Sequence, residues 1–174
     1  TGYEYLPFAE LPQVVNPPAG FVVNANNDPA GLTLDNDPLN TPRPGGGIYY
    51  LGYAFDFGTR AGRITQMVRG KLARGPVDAD DMAEIQADVT LYDASVLAPA
   101  VVRAWQGSRG NNAAPALRAL AADRGVTEAV QRLRRWDYTA PTGIDAGYDA
   151  SDVNGERRPA RRPEIDASIA ATIW

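Results

Sequence analysis

Apolar residues change their spacing along this chain near residue 58. Before it they cluster in short runs, Val14-Val15 and Phe21-Val22-Val23, separated by Asn16-Pro17-Pro18-Ala19-Gly20. Proline fixes its own φ and glycine accepts a positive one, so this linker turns the chain at low cost and the pattern predicts a hairpin. From Asn26 to Gly47 the residues are mostly Asn, Asp, Pro and Gly. These draw backbone hydrogen bonds away from helix and strand, which predicts a long surface loop. From Thr59 the spacing becomes helical: Ile64, Met67, Val68 and Leu72 share a face, and Gly75-Pro76 ends the run. Asp78 then suits an N-cap, and Met82, Ile85, Val89 and Leu97 continue an apolar stripe that Pro99 should bend or stop.

Further along, Leu117 and Leu120, then Val126 to Trp136, predict two short helices broken at Gly125. Arg124, Arg132, Arg134 and Arg135 lie toward their ends, with their charge expected in solvent. Residues 137–163 are irregular and polar. Pro163 opens a last helical pattern that places Ile165, Ile169 and Ile173 on one face. The expected fold class is α+β, strands and loops over 1–58 and mainly helix over 59–174. The two parts read as a slice through one larger domain, because the first has too few strands to build a sheet.

Composition narrows the chemistry. The chain has 174 residues, 44% hydrophobic and 22% charged, with a formal net charge of -4. Nucleic acid is therefore not an expected partner, since a phosphate backbone would be repelled on average. No apolar run approaches the roughly 20 residues that cross a bilayer, so no membrane partner is expected. His and Cys are both absent. That removes thiol nucleophiles, Ser-His-Asp triads, zinc clusters and disulfides from what these residues can assemble, leaving oxygens, amides and guanidinium groups. Without Cys the redox compartment stays open.

The most unusual local feature is Asn24-Ala25-Asn26-Asn27-Asp28-Pro29, where an apolar run gives way to the loop. A side-chain amide presents two N–H donors without charge. It is thus suited to stabilise the oxygen that turns negative when an amide carbonyl is attacked. The same residues also favour Asx turns that satisfy their own backbone.

Its surroundings bear on that choice. The run from Leu11-Pro12-Gln13-Val14-Val15-Asn16-Pro17-Pro18 through Asn24-Ala25-Asn26-Asn27-Asp28-Pro29 resembles the oxyanion segment of the penicillin acylase (penicillin amidase) family of N-terminal-nucleophile hydrolases. Thr59-Arg60-Ala61-Gly62-Arg63-Ile64 resembles that family's Arg-Ile helix start. Ile85-Gln86-Ala87-Asp88 with Ala94 and Pro99 is similar to its next helix, and Leu133-Arg134-Arg135-Trp136-Asp137 to a helix ending in Trp-Asp. The tail from Gly147 to Trp174 looks like the approach to the helix after that. The blocks fall in family order over nearly the whole chain.

The resemblance implies an internal segment of the large subunit of an autoprocessed amidohydrolase. It implies a fold of two sheets between helical layers, and cleavage of the amide between an acyl group and an amine. Asn26 would be the side-chain donor of the oxyanion hole, with Asn24 the fallback if the register slips. Arg63 would be the active-site arginine, orienting Asn26 and favouring the neutral form of a nearby N-terminal amine. The nucleophile of such enzymes is a Ser, Cys or Thr whose own α-amino group is the base. Thr1 is not expected to be it, because Thr1 to Phe8 resembles the stretch that precedes the Leu-Pro block.

The segment is expected to be inactive alone. Its implied partners are the remainder of the large subunit, a small subunit from the same precursor and a small N-acyl substrate. No cofactor is implied for catalysis. The resemblance does imply a structural calcium, to which Asp35, Asp37 or Asp56 could contribute, and a periplasmic or secreted location. Gln86 and Asp88 are expected to serve structure, and Tyr49, Tyr50, Tyr53, Phe55 and Phe57 suit either packing or an acyl pocket. Two further readings stand beside penicillin hydrolysis: an acylase of acyl-homoserine lactones or lipopeptides from the same family, and a non-catalytic interaction module.

Overall fold

A computed structural model describes residues 5–141 and 160–174 of the chain. The α+β expectation is not met: the described residues form helices and no sheet. Their only β pairing is three isolated bridges, Asn27 with Asp56, Pro42 with Ile48 and Thr90 with Thr139. The turn expected at Asn16–Gly20 does form, with the Gly20 N–H on the Pro17 carbonyl at 2.9 Å and both Asn16 and Gly20 at positive φ. Its flanks do not pair. Runs of two and three apolar residues offer few ladder bonds, and Pro12, Pro17 and Pro18 remove donors from the ladder. Val14, Val15 and Val22 are accordingly left exposed.

The chain divides into two compact units, Thr1–Asp78 and Ala79–Trp174. The first holds a 3₁₀ turn at Phe8–Glu10, the loop expected after Asn26 and helix α1 (Thr59–Leu72). Long-range polar contacts organise the loop. Arg43 pairs with Glu10 through Nε and Nη2, and the Tyr49 hydroxyl donates to the Glu10 carbonyl at 2.6 Å. Among its described residues Ala25, Leu32 and Val68 are the buried apolar ones.

The second unit contains α2 (Ala79–Gln86), α3 (Tyr92–Ser108), α4 (Pro115–Ala122), α5 (Arg124–Arg135) and α6 (Arg162–Ile173). Helix α3 runs through Pro99 instead of stopping there. The missing N–H costs one helical bond, but Ala94, Ala98 and Trp105 are all buried and anchor the helix on both sides of the proline. The break between α4 and α5 falls at Asp123, whose carboxylate accepts the Val126 N–H at 2.9 Å, and Gly125 lies inside α5. In α6 the buried face is Ala167 and Ala170, while Ile169 and Ile173 face solvent. These alanines join Ala94, Leu133 and Trp136 in one core cluster, and Trp105, Ala121 and Val130 form a second. Small residues win the interface because they let helix backbones approach closely.

Candidate functional site

The three asparagines of the motif do different work. The Asn24 Oδ1 accepts the Asn26 N–H at 3.1 Å, and the Asn27 Oδ1 accepts the Ala25 N–H at 3.2 Å. Both oxygens are thus spent on Asx-type bonds that bend the local backbone. Asn26 sits at φ 60°, the left-handed region that Asn tolerates better than most residues. Its carbonyl accepts the Asp56 N–H at 2.7 Å, beside the Asn27–Asp56 bridge. Its side-chain Oδ1 accepts from Arg60 Nη2 at 3.3 Å. Among the described residues nothing accepts from its Nδ2, and the side chain is exposed.

The next residue fixes the loop that follows. The Asp28 carboxylate accepts the N–H groups of Ala30, Gly31 and Thr33 at 2.7 to 3.0 Å and the Thr33 hydroxyl at 2.9 Å. Partial burial pushes this carboxyl up, but the bonds from Thr33, Ala30 and Gly31 outweigh it and hold the group below the usual range.

Helix α1 presents the arginines. It starts after Gly58 at φ 82°, a residue that needs no side chain to adopt that conformation. Asp56 accepts the Gly58 N–H at 3.0 Å through Oδ1 and pairs through Oδ2 with Arg60 Nη1 at 3.5 Å. Arg60 therefore spans Asp56 and Asn26. Arg63, one turn on and half-buried, donates Nη1 to Gln66 Oε1 at 2.7 Å. The guanidinium on Asn26 is that of Arg60, which sequence reading passed over. The four-residue step from Asp56 to Arg60 was its available signal, legible only once the helix start is known.

The other candidates are dispersed. Thr1 lies outside the described residues, as does the stretch of the expected tail before Ala160. Tyr49 is tied to Glu10, whereas Tyr50, Tyr53 and Phe57 are exposed. Gln86 ends α2, and Asp88 caps Thr90, accepting its hydroxyl at 2.9 Å. The acids considered for calcium each have protein partners. The Asn40 amide and the Asp37 N–H hold the Asp35 carboxyl below its usual range, Asp37 accepts the Leu39 N–H, and Asp56 is taken by Gly58 and Arg60. Among the described residues no group of three or more His, Cys, Asp or Glu is placed to hold an ion.

In the second unit a groove of about 610 Å³ runs between α5 and α6, lined by Arg132, Arg135, Trp136, Arg162 and Asp166 among others. Its charges largely answer one another: Arg132 meets Glu128 at 2.9 Å, and Arg162 meets Asp166 at 3.1 Å. None of the residues expected to act in catalysis lines it.

A family model described as penicillin amidase matches residues 1–173. No solved structure matches the chain. No helix among the described residues is long and apolar enough to cross a membrane.

Proposed function

The chain belongs to the penicillin amidase family, a family of amidohydrolases, and from that premise we propose that this segment supplies the Asn26 side chain as the oxyanion donor of an enzyme cleaving acyl-amine amides. The supporting observation is the state of that amide. Its oxygen is occupied by the Arg60 guanidinium, while its N–H groups are unclaimed among the described residues and exposed. An amide held this way has its donors available to a substrate carbonyl. When a nucleophile attacks that carbonyl its electron pair moves onto oxygen, and a fixed N–H there lowers the barrier without any proton transfer.

The nucleophile in this reading comes from outside the segment. It is the side chain of an N-terminal Ser, Cys or Thr, with its own amine as base. The segment therefore works with the remainder of a large subunit and a small subunit, on a small N-acylated substrate. Arg63 supplies fixed positive charge on α1, which disfavours protonation of a nearby amine and keeps it free to act as the base.

The test is Asn26→Gly in the intact enzyme. Glycine accepts φ 60° without strain, so this change removes the donor and spares the backbone. The rate constant kcat for a chromogenic phenylacetyl or other acyl amide should fall about 10²–10³-fold, with KM nearly unchanged. An unchanged kcat rejects Asn26 as the donor.

A further inference from the structure

Asn26 can only serve if its amide faces the right way, and its own shape does not decide that. Oxygen and nitrogen of a carboxamide are nearly the same size, so two orientations fit the same space. A guanidinium breaks the tie, because it donates from every N–H and accepts nothing. With Arg60 Nη2 at 3.3 Å from Oδ1, flipping the amide would set donor against donor and lose a charged hydrogen bond.

The geometry points to Arg60 as a positioning residue that fixes the orientation of the Asn26 amide and turns its N–H groups toward substrate. This assignment rests on the proposed role of Asn26. The resemblance gives the orienting of Asn26 to Arg63, whereas the hydrogen bond on the Asn26 side chain comes from Arg60, one turn earlier on α1. Three features carry the assignment. Arg60 is itself anchored, with Nη1 on Asp56 Oδ2 at 3.5 Å, so the guanidinium is aimed by a second contact. Asp56 also donates its N–H to the Asn26 carbonyl at 2.7 Å. The same two residues therefore hold main chain and side chain of Asn26 together. Finally, a cation on the amide oxygen draws electron density away from nitrogen and makes the N–H a stronger donor, by the cooperativity that links successive hydrogen bonds.

Arg60 is mostly exposed, so removing it should leave folding intact. The experiment is a double-mutant cycle in the intact enzyme with Arg60→Ala, Asn26→Gly and the pair. Arg60→Ala should lower kcat roughly tenfold with KM within about twofold, as for loss of a hydrogen bond to a charged group. Arg60→Lys should recover part of it, since an ammonium still donates but cannot span Asn26 and Asp56. Asp56→Asn, which keeps the backbone N–H and an acceptor for Gly58, should lower kcat in the same direction. In the Asn26→Gly background Arg60→Ala should cost nothing more. Additive losses would show that Arg60 acts on structure or elsewhere and overturn the inference, as would a silent Arg60→Ala beside an impaired Asn26→Gly. A silent Asn26→Gly would instead remove the oxyanion reading, and this inference with it.

Discussion

Asp28 collects three backbone N–H groups and a hydroxyl on one carboxylate and so fixes the loop that follows the asparagines. Its carboxyl is held below the ordinary range, so its contribution follows from linkage. A group whose folded pKa is depressed adds stability that is complete above its unfolded pKa, about 3.9, and is lost as pH falls through the folded value. Asp28→Asn keeps an acceptor but removes the charge. It should destabilise the chain by on the order of 1 kcal/mol at neutral pH, and the difference from the parent should shrink once pH drops below about 3.9. Thermal unfolding of both proteins at pH 7 and pH 3 measures this, and a pH-independent difference would show that charge is not what Asp28 contributes. At this scale the sequence revealed the motif but not the division of labour within it. Asn24, Asn26 and Asn27 are chemically alike. What separates them is a contact between Asn26 and Arg60 that joins residues 34 apart, and no local spacing encodes it.

Helices were legible where periodicity and chain punctuation agree, and less so where packing decides. Thr59–Leu72 follows from its apolar spacing and its stop near Gly75-Pro76. Between α4 and α5, Gly125 looked like the breaker, yet the interruption belongs to Asp123, which accepts the Val126 N–H. Glycine lowers helix propensity by about 1 kcal/mol relative to alanine, too little to stop a helix whose first turn is capped. Asp123→Ala should therefore lower stability by about 1 kcal/mol, read from denaturant midpoints, whereas a value near zero would mean that α5 begins without its cap. In α6 the three isoleucines suggested the inward face, but neighbours took the alanines, because Ala167 and Ala170 pack where a larger side chain would hold the backbones apart. The expected strands failed for a related reason: β structure is made by a partner, and Val14-Val15 and Phe21-Val22-Val23 find none among the described residues.

At the scale of the whole molecule, the two units rest on different kinds of interaction. The second has helices α3 to α6 closed on two apolar clusters. Residues 5–58 of the first are held by Asx bonds, turns and the Arg43–Glu10 pair, with Tyr5, Val15, Leu34, Tyr53 and Phe57 exposed. Local opening requires little free energy where few apolar contacts are lost and amides already meet water, and approaches the global value where a core must come apart. Native-state hydrogen exchange of the 174-residue chain should therefore divide the molecule. Amides of α3 and α5 around Ala98, Trp105, Val130 and Leu133 should be the slowest, whereas those of Val14, Val15 and Val22, which make no backbone bond in the structure, should exchange close to the rate of an unfolded peptide. The Asp56 amide, bonded to the Asn26 carbonyl at 2.7 Å, should stand out as protected within its stretch, because it is the backbone bond that holds the asparagine motif beside the start of α1. Protection of Val14, Val15 and Val22 to the level of α5 would mean that these runs have acquired strand partners, and the helical description of the chain would have to give way. A Asp56 amide as fast as those valines would mean that the Asn26 backbone is not held, and a donor on an unheld loop could not supply a fixed N–H to a developing oxyanion.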